Sequence, residues 1–256
     1  MNIELISAED MSNETHDIEE DIEDIEEDIE DIEEDIKDIE EDIEEETKKR
    51  FKFVIEYFQK INPNPATELK HKNGYELLVA TILSAQATDK RVNNITPALF
   101  KKYPTINKLS EATLDDVYEF INSINYANNK SNYLIRMANM IMTKYNGKIP
   151  EDIEELQNLP GVDRKTAHFI VATLFNKPVI AVDTHVLIVA ERIGLTTDAK
   201  NPLESEEQLI RYTPKEIMPK ISHWLILHGR YICTARNPEC KKCGINKICR
   251  YYEMNF

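Results

Sequence analysis

The chain has 256 residues, 41% of them apolar, and a formal charge of -16. That length supports one large domain or two small ones with buried cores. No apolar run approaches the roughly 18 residues of a membrane span, and the opening MNIELISAED has neither the basic nor the apolar region of a secretory signal.

The average charge hides a division. Residues 1–46 hold 25 of the 47 Asp and Glu and a single base, Lys37, a net of -24. Residues 47–256 carry 30 Lys and Arg against 22 Asp and Glu, a net of +8. A polyanion repelled by the average is therefore compatible with the body. Only 6 Gly in the chain argue for helices rather than a Gly-rich β fold.

Residues 17–46 are nearly a two-letter text of Asp/Glu and Ile. Isoleucine falls at 18, 22, 25, 29, 32, 36, 39 and 43, in alternating steps of 4 and 3. This is the a/d pattern of a heptad repeat. Yet 21 of these 30 residues are acidic, so most i,i+4 neighbours repel. Three states fit the pattern. One is a disordered acidic arm. Another is an isoleucine zipper that self-associates when its charge is screened, in more than two strands because Ile occupies both a and d. The third folds back onto the basic body and competes with DNA.

From Lys48 onward the periodicity is helical. KRFKFVIEYFQKI presents apolar residues at 51, 53, 54, 57, 58 and 61, and Pro63 and Pro65 stop it. YELLVATILSAQ, EATLDDVYEFINSI, YLIRMANMIMTKY and AHFIVATLF repeat the amphipathic pattern, with Ser110 and Asp116 as expected caps. PVIAV at 178–182 is compatible with a short buried strand; Asp183 and Thr184 then open another apolar helix. The body reads as all-α.

One segment carries the clearest chemistry. In LQNLPGVDRKTAHF, a helix ends before Pro160, Leu159, Gly161 and Val162 form a tight turn, and a new helix starts near Asp163. The first-turn amides of a helix lack internal acceptors and the macrodipole is positive there, so a phosphate can sit on the turn. Arg164 and Lys165 add charge at the same point. Such a device grips a nucleic-acid backbone without reading its sequence. At the other end of the chain, Cys233, Cys240, Cys243 and Cys249 give C-x6-C-x2-C-x5-C. Four clustered cysteines without an export signal read as a metal or cluster site rather than a disulfide framework. The spacing by itself allows tetrahedral zinc or a cubane iron–sulfur cluster.

LLVATILSAQATD (77–89), LPGVDRKTA (159–167), PVIAVDTHV (178–186), HWLILHGRYIC (223–233) and the cysteine array occur together and in this order. The set, spanning about residues 48–253, resembles the helix-hairpin-helix DNA glycosylases, most closely the endonuclease III family. The resemblance implies an all-α fold of two helical domains with a cleft between them. A six-helix domain with the hairpin would span 67–177. An iron–sulfur cluster domain would combine 47–66 with 178–256, leaving 1–46 as an acidic extension.

The resemblance also implies base-excision repair: a bifunctional glycosylase and abasic-site lyase that flips oxidised pyrimidines out of double-stranded DNA. Lys165 matches the family's nucleophile. Its amine must be neutral to attack, which burial and cations such as Arg164 would favour. Asp183 matches the catalytic aspartate and would also cap its helix. His185 reads as a packing or hydrogen-bonding residue.

Leu159, Gly161, Val162, Asp163 and Arg164 would form the hairpin that binds DNA, with Asp163 where the family has a second glycine and His168 where it usually has Asn. Gln86 would fill the gap left by the flipped base, helped by Tyr126 in the Asn125-Tyr126-Ala127-Asn128 loop. Asp89 would cap the helix after Gln86. The four cysteines would hold a [4Fe–4S] cluster that fixes a loop, so that Arg236, Lys241 and Lys242 face DNA.

Adenine-mismatch glycosylases share the array but lack the lysine and carry a further C-terminal domain. Lys165, and the chain end soon after Cys249, favour the lyase branch. A non-enzymatic DNA-binding or redox-sensing module is the alternative. The expected setting is a bacterial cytoplasm, with the body monomeric.

Overall fold

In the computed structural model the described residues are 8–256 for the backbone, and Ile29 and residue 32 onward for side chains. The first seven residues, where an export signal was sought, lie outside them, as do the side chains of Ile18, Ile22 and Ile25. Among the described residues the fold is all-helical, without a strand. It divides into two compact units, Met1–Lys49 and Arg50–Phe256.

The first unit contains most of helix α1 (Ala8–Ile61). The described backbone of the acidic repeat is helical. Lys48 and Lys49 pair one turn back with Glu44 at 2.7 Å and Glu45 at 2.9 Å. Both pairs are exposed, so solvent screens them and they contribute little to stability.

The second unit begins inside α1 and continues through α2 (Gly74–Ser84), α3 (Asp89–Lys102), α4 (Ile106–Ser110), α5 (Leu114–Ile121), α6 (Ala127–Lys144), α7 (Ile153–Gln157), α8 (Arg164–Phe175), α9 (Thr184–Ile193), α10 (Pro202–Tyr212) and α11 (Met218–Tyr231). Two 3-10 turns, Cys240–Lys242 and Asn246–Ile248, lead to α12 (Arg250–Asn255). Short polar side chains start these helices as expected of N-caps. Asn73, Thr88, Thr105, Thr113, Asp152, Asp163, Asp183 and Asn201 each accept a first-turn amide.

The two caps expected from the sequence are displaced. Ser110 ends α4 rather than starting a helix. Thr113 caps α5, and Asp116 sits three residues on and accepts the Thr113 hydroxyl at 2.9 Å. That is the reciprocal side of a capping box, with Asp in place of the usual Glu. PVIAV is not a strand: no neighbouring strand offers a ladder, and Ala181 N–H donates instead to Ser222 Oγ on α11 at 2.9 Å.

Two buried apolar clusters organise this unit. One joins α2–α8 through residues such as Leu77, Leu83, Leu134, Met137 and Val171. The other joins Phe51, Val54, Ile55 and Phe58 of α1 to α9–α11 and Ile245. Trp224 anchors the second, stacked on Phe58 at 5.8 Å while its indole N–H donates to the Asn62 carbonyl at 2.8 Å. Phe51, Val54 and Phe58 of the expected stripe, with Ile55, thus pack against helices more than a hundred residues away in sequence, while Phe53 and Ile61 stay exposed.

Candidate active site

Lys165 is the second residue of α8 and Asp183 the cap of α9. The hairpin places the first. Gly161 has φ +82°, and a Cβ there would stand 3.0 Å from the Cβ of Tyr133, so only glycine fits the turn. Leu159 and Val162 are buried in the first cluster, so their part is to anchor the turn, leaving its main chain to face a ligand.

Asp163 takes an ordinary extended conformation, φ -90°, and caps α8 by accepting Thr166 N–H at 2.7 Å. No glycine-like backbone is needed at this position. The carboxylate is also spent on the helix start rather than pairing with Arg164. Arg164 turns instead to Glu206 of α10, at 2.9 Å, and His168 Nδ1 stands 3.2 Å from the same carboxylate oxygen. Burial pushes Glu206 up, but His168 and Arg164 outweigh it and hold the carboxyl below its usual range.

The Asp183 cap bonds, from His185 N–H at 2.8 Å and Val186 N–H at 2.9 Å, both fall on Oδ1. Oδ2 is not used by the cap. Lys165 and Asp183 line one cavity together with Thr81, Ser84, Asp89, Phe169, His223 and Arg230. Lys165 is exposed and Arg164 is engaged elsewhere, so the expected burial of the amine is absent from the free protein. His223 closes the back of the cavity, edge-on to Phe169 and 3.3 Å from the Thr173 hydroxyl. Burial pushes it down to about 4, so it is neutral at physiological pH.

His185 packs against Gly229 of α11, where a Cβ would meet its side chain at 3.0 Å. Asp89 does not cap α3, because Thr88 does. It forms part of the cavity wall with Arg230, which bridges Asp89 and Glu68 at 2.6 Å each. Tyr231 also donates to Glu68. This bridge spans 162 positions in sequence and no local pattern announces it.

Gln86 follows α2 with φ +56° and is exposed; Tyr126 precedes α6 with φ +59° and is 61% exposed. The two loops are tied, since Asn125 Nδ2 donates to the Gln86 carbonyl at 3.1 Å. Beneath them lies Lys130, which the sequence reading missed. It is buried, and its ammonium donates to the carbonyls of Leu83 at 2.8 Å and Ala85 at 2.6 Å at the open end of α2. Its sequence neighbours are polar, and the one signal is that it shares a helix face with Ala127, Leu134 and Met137.

The four cysteines form no disulfide and line a single apolar cavity with Ile193, His228, Ile232, Pro238, Ile245 and Tyr252. Burial pushes Cys243 up to about 11 and raises Cys240 and Cys249. Such thiols need a bound cationic centre to stay deprotonated. Among the described residues, no group of three or more His, Cys, Asp or Glu is placed to hold a metal ion.

Around the cavity, Arg192 of α9 donates to the carbonyls of Thr234 at 2.9 Å and Ala235 at 2.7 Å, and Thr234 Oγ1 to Asn237 at 2.7 Å. These bonds shape the loop between the first two cysteines. Arg236 is exposed in that loop, and Lys241 and Lys242 are exposed in the 3-10 turn that follows it, Lys242 within 3.0 Å of Glu239. Tyr57 lies on Gly244 so closely that no Cβ fits.

Residues 79–215 match the HhH-GPD superfamily base excision DNA repair protein model. Endonuclease III of Rickettsia felis is 45% identical over 199 residues, 78% of this chain and 93% of that protein. The chain belongs to the endonuclease III family. Endonuclease III of Escherichia coli K12 is 40% identical over 200 residues, covering 78% of this chain and 94% of that protein. A solved structure of a trapped endonuclease III–DNA covalent intermediate superposes with a TM-score of 0.76 at 39% identity, over 81% of this chain and 97% of that one. A thermostable thymine-DNA glycosylase, at 23% identity and a TM-score of 0.72, shares the fold. As an endonuclease III relative the protein is a DNA-binding base-excision-repair glycosylase with abasic-site lyase activity. No helix among the described residues is long and apolar enough to cross a membrane.

Proposed function

We propose that this enzyme excises oxidised pyrimidines from double-stranded DNA and cleaves the strand through a Schiff base on Lys165. The observation that carries the reading is the meeting of Lys165 and Asp183, from the starts of two different helices, on one cavity. The neutral amine attacks C1′ of the sugar. A C–N bond forms, the glycosidic bond breaks, and the base leaves with its electron pair and takes up a proton. Ring opening gives the Schiff base. Loss of a C2′ proton then expels the 3′ phosphate oxygen, and water releases the lysine. The Asp183 carboxylate stabilises the cationic sugar and moves protons, with Oδ2 available for that work. Because Lys165 is exposed, DNA itself must exclude water from the amine.

In the hairpin, Leu159 and Val162 hold the turn, their own amides donating to Leu156 and Leu159, and the amides of Gly161, Asp163 and Arg164 grip phosphate. Arg164, held by Glu206, shapes the α8–α10 contact and leaves the amides to bind. Gln86 and Tyr126 occupy the gap left by the flipped base. We take the two apolar clusters as cores of two domains, 67–177 and 47–66 with 178–256, and the cavity between them as the lesion site. A [4Fe–4S] cluster on Cys233, Cys240, Cys243 and Cys249 fits the single apolar cavity and fixes the loop of Arg236, Lys241 and Lys242 toward phosphate. A bacterial cytoplasm, with the body monomeric, is the setting this implies.

The test is borohydride trapping on duplex DNA with one abasic site. Wild type should form a covalent adduct, and Lys165→Gln should bind DNA without adduct or strand cleavage. Cleavage by Lys165→Gln would remove the lysine from the chemistry. Binding by wild type without any adduct would favour a non-enzymatic member of the fold.

A further inference from the structure

The described isoleucines of the first unit are exposed rather than packed. Ile29, Ile32, Ile36, Ile39 and Ile43 are between 49% and 60% exposed on the helical backbone of α1. Every residue from Ile32 to Glu46 is exposed. Five large apolar side chains in a row at heptad spacing form a continuous stripe on one face, the geometry of a coiled-coil seam lacking its partner.

The residues beside the stripe say which partner fits. With Ile29, Ile36 and Ile43 at a and Ile32 and Ile39 at d, the e positions are Glu33 and Glu40 and the g positions Asp35 and Asp42. The whole repeat follows this rule, with Glu at 19 and 26 and Asp at 21 and 28. Lys37 lies at b, away from the seam. In a parallel pair of copies, g of one chain meets e of the other, so Asp faces Glu in every heptad. In an antiparallel pair e meets e and g meets g, again acid against acid. A second copy is therefore opposed at both edges in either orientation. DNA and anionic lipid are opposed for the same reason.

We propose that α1 docks a cationic amphipathic helix of another protein, with aliphatic residues at a and d and Lys or Arg at e and g. The partner's apolar residues cover the isoleucine stripe, and its basic flanks pair with Glu33, Asp35, Glu40 and Asp42. The repeated acid at e and g selects against self-pairing while specifying the partner. This site is separate from the glycosylase cavity and does not depend on the catalytic reading.

The probe is a labelled four-heptad helical peptide with Ile at a and d and Lys at e and g, titrated with the full-length protein and followed by anisotropy and sedimentation. One-to-one saturable binding is expected, weaker by about tenfold or more at high salt. A matched peptide with Glu at e and g should not bind. The triple variant Ile32→Ala, Ile36→Ala, Ile39→Ala should lose about tenfold or more in affinity, because alanine keeps the helix and removes the stripe. Its circular dichroism and its cleavage of abasic-site DNA report that the chain is folded. Undiminished binding by the triple variant would mean charge attraction alone and overturn the proposal. So would absence of binding, or a full-length protein already associated with itself at neutral pH through these isoleucines.

Discussion

Asp183 caps α9, and a conservative substitution separates that cap from the proposed catalytic role. Asn at 183 keeps an oxygen for the amides of His185 and Val186 and so keeps the cap. It removes the negative charge beside the reacting sugar. Asp183→Asn is expected to melt near wild type while losing about 10²- to 10⁴-fold in turnover, the usual contribution of a positioned acid–base group. Asp183→Ala should in addition lose about 1 kcal/mol of stability. Single-turnover kinetics and thermal melts together check both. An Asn variant at full rate would leave Asp183 as a cap alone.

His223 gives the second residue-scale prediction. Burial lowers it from 6.5 to about 4, so the unfolded chain binds its proton more readily than the folded one between those values. Its neutral burial costs nothing above pH 6.5, and stability falls as pH drops from about 6.5 toward 4, by up to roughly 3 kcal/mol. Urea unfolding of wild type and His223→Gln at several pH values isolates this slope, since the cysteine site is common to both. Parallel slopes would reject it. The two proposed catalytic positions could be picked from the sequence because each sits in a continuous motif, and both line one cavity. Their long-range partners could not be picked in this way. Glu206 lies 42 residues from Arg164, and the Arg230–Glu68–Asp89 bridge joins segments far apart. Periodicity carries no information about such pairs.

At the scale of elements, helices were readable wherever an apolar stripe faced a core, as in the segments that became α2, α5, α6 and α8. The misplaced caps at Ser110 and Asp116 have a common cause. Ser, Thr and Asp crowd that stretch, and only the backbone turn decides which of them precedes the first helical residue. Lys130 shows what an element boundary hides. Its ammonium ends α2 by meeting two carbonyls that have no further helix to donate to them. The loops of Gln86 and Tyr126 rest on that end. Lys130→Met keeps the length and apolar stem but strands both carbonyls, costing about 1–3 kcal/mol. It should also let the Gln86 loop drift. The rate on a base-paired lesion, which needs flipping, should therefore fall several-fold more than the rate on an abasic site opposite a gap. Equal losses on both substrates would make Lys130 a stability residue only.

For the molecule as a whole, charge is the property most easily misread. The full chain at -16 is formally a poor ligand for a polyanion, yet residues 47–256 carry +8 and residues 1–46 carry -24. Phosphate contacts release counterions, so affinity for DNA should fall linearly with salt on a log–log scale. A tethered acidic helix adds an opposing field, and that field is screened over a Debye length of about 8 Å at physiological ionic strength. Deleting residues 1–46 should therefore tighten DNA binding by about tenfold or more at low salt, with the gain shrinking toward none as salt rises. Fluorescence titration of both forms on abasic-site duplex across a salt series gives the two lines directly. Converging lines are the signature of a field. A constant offset would mean that the extension occludes a surface rather than acting through charge. Superimposed lines would mean that its charge stays out of reach of the bound DNA, and that the two units work independently.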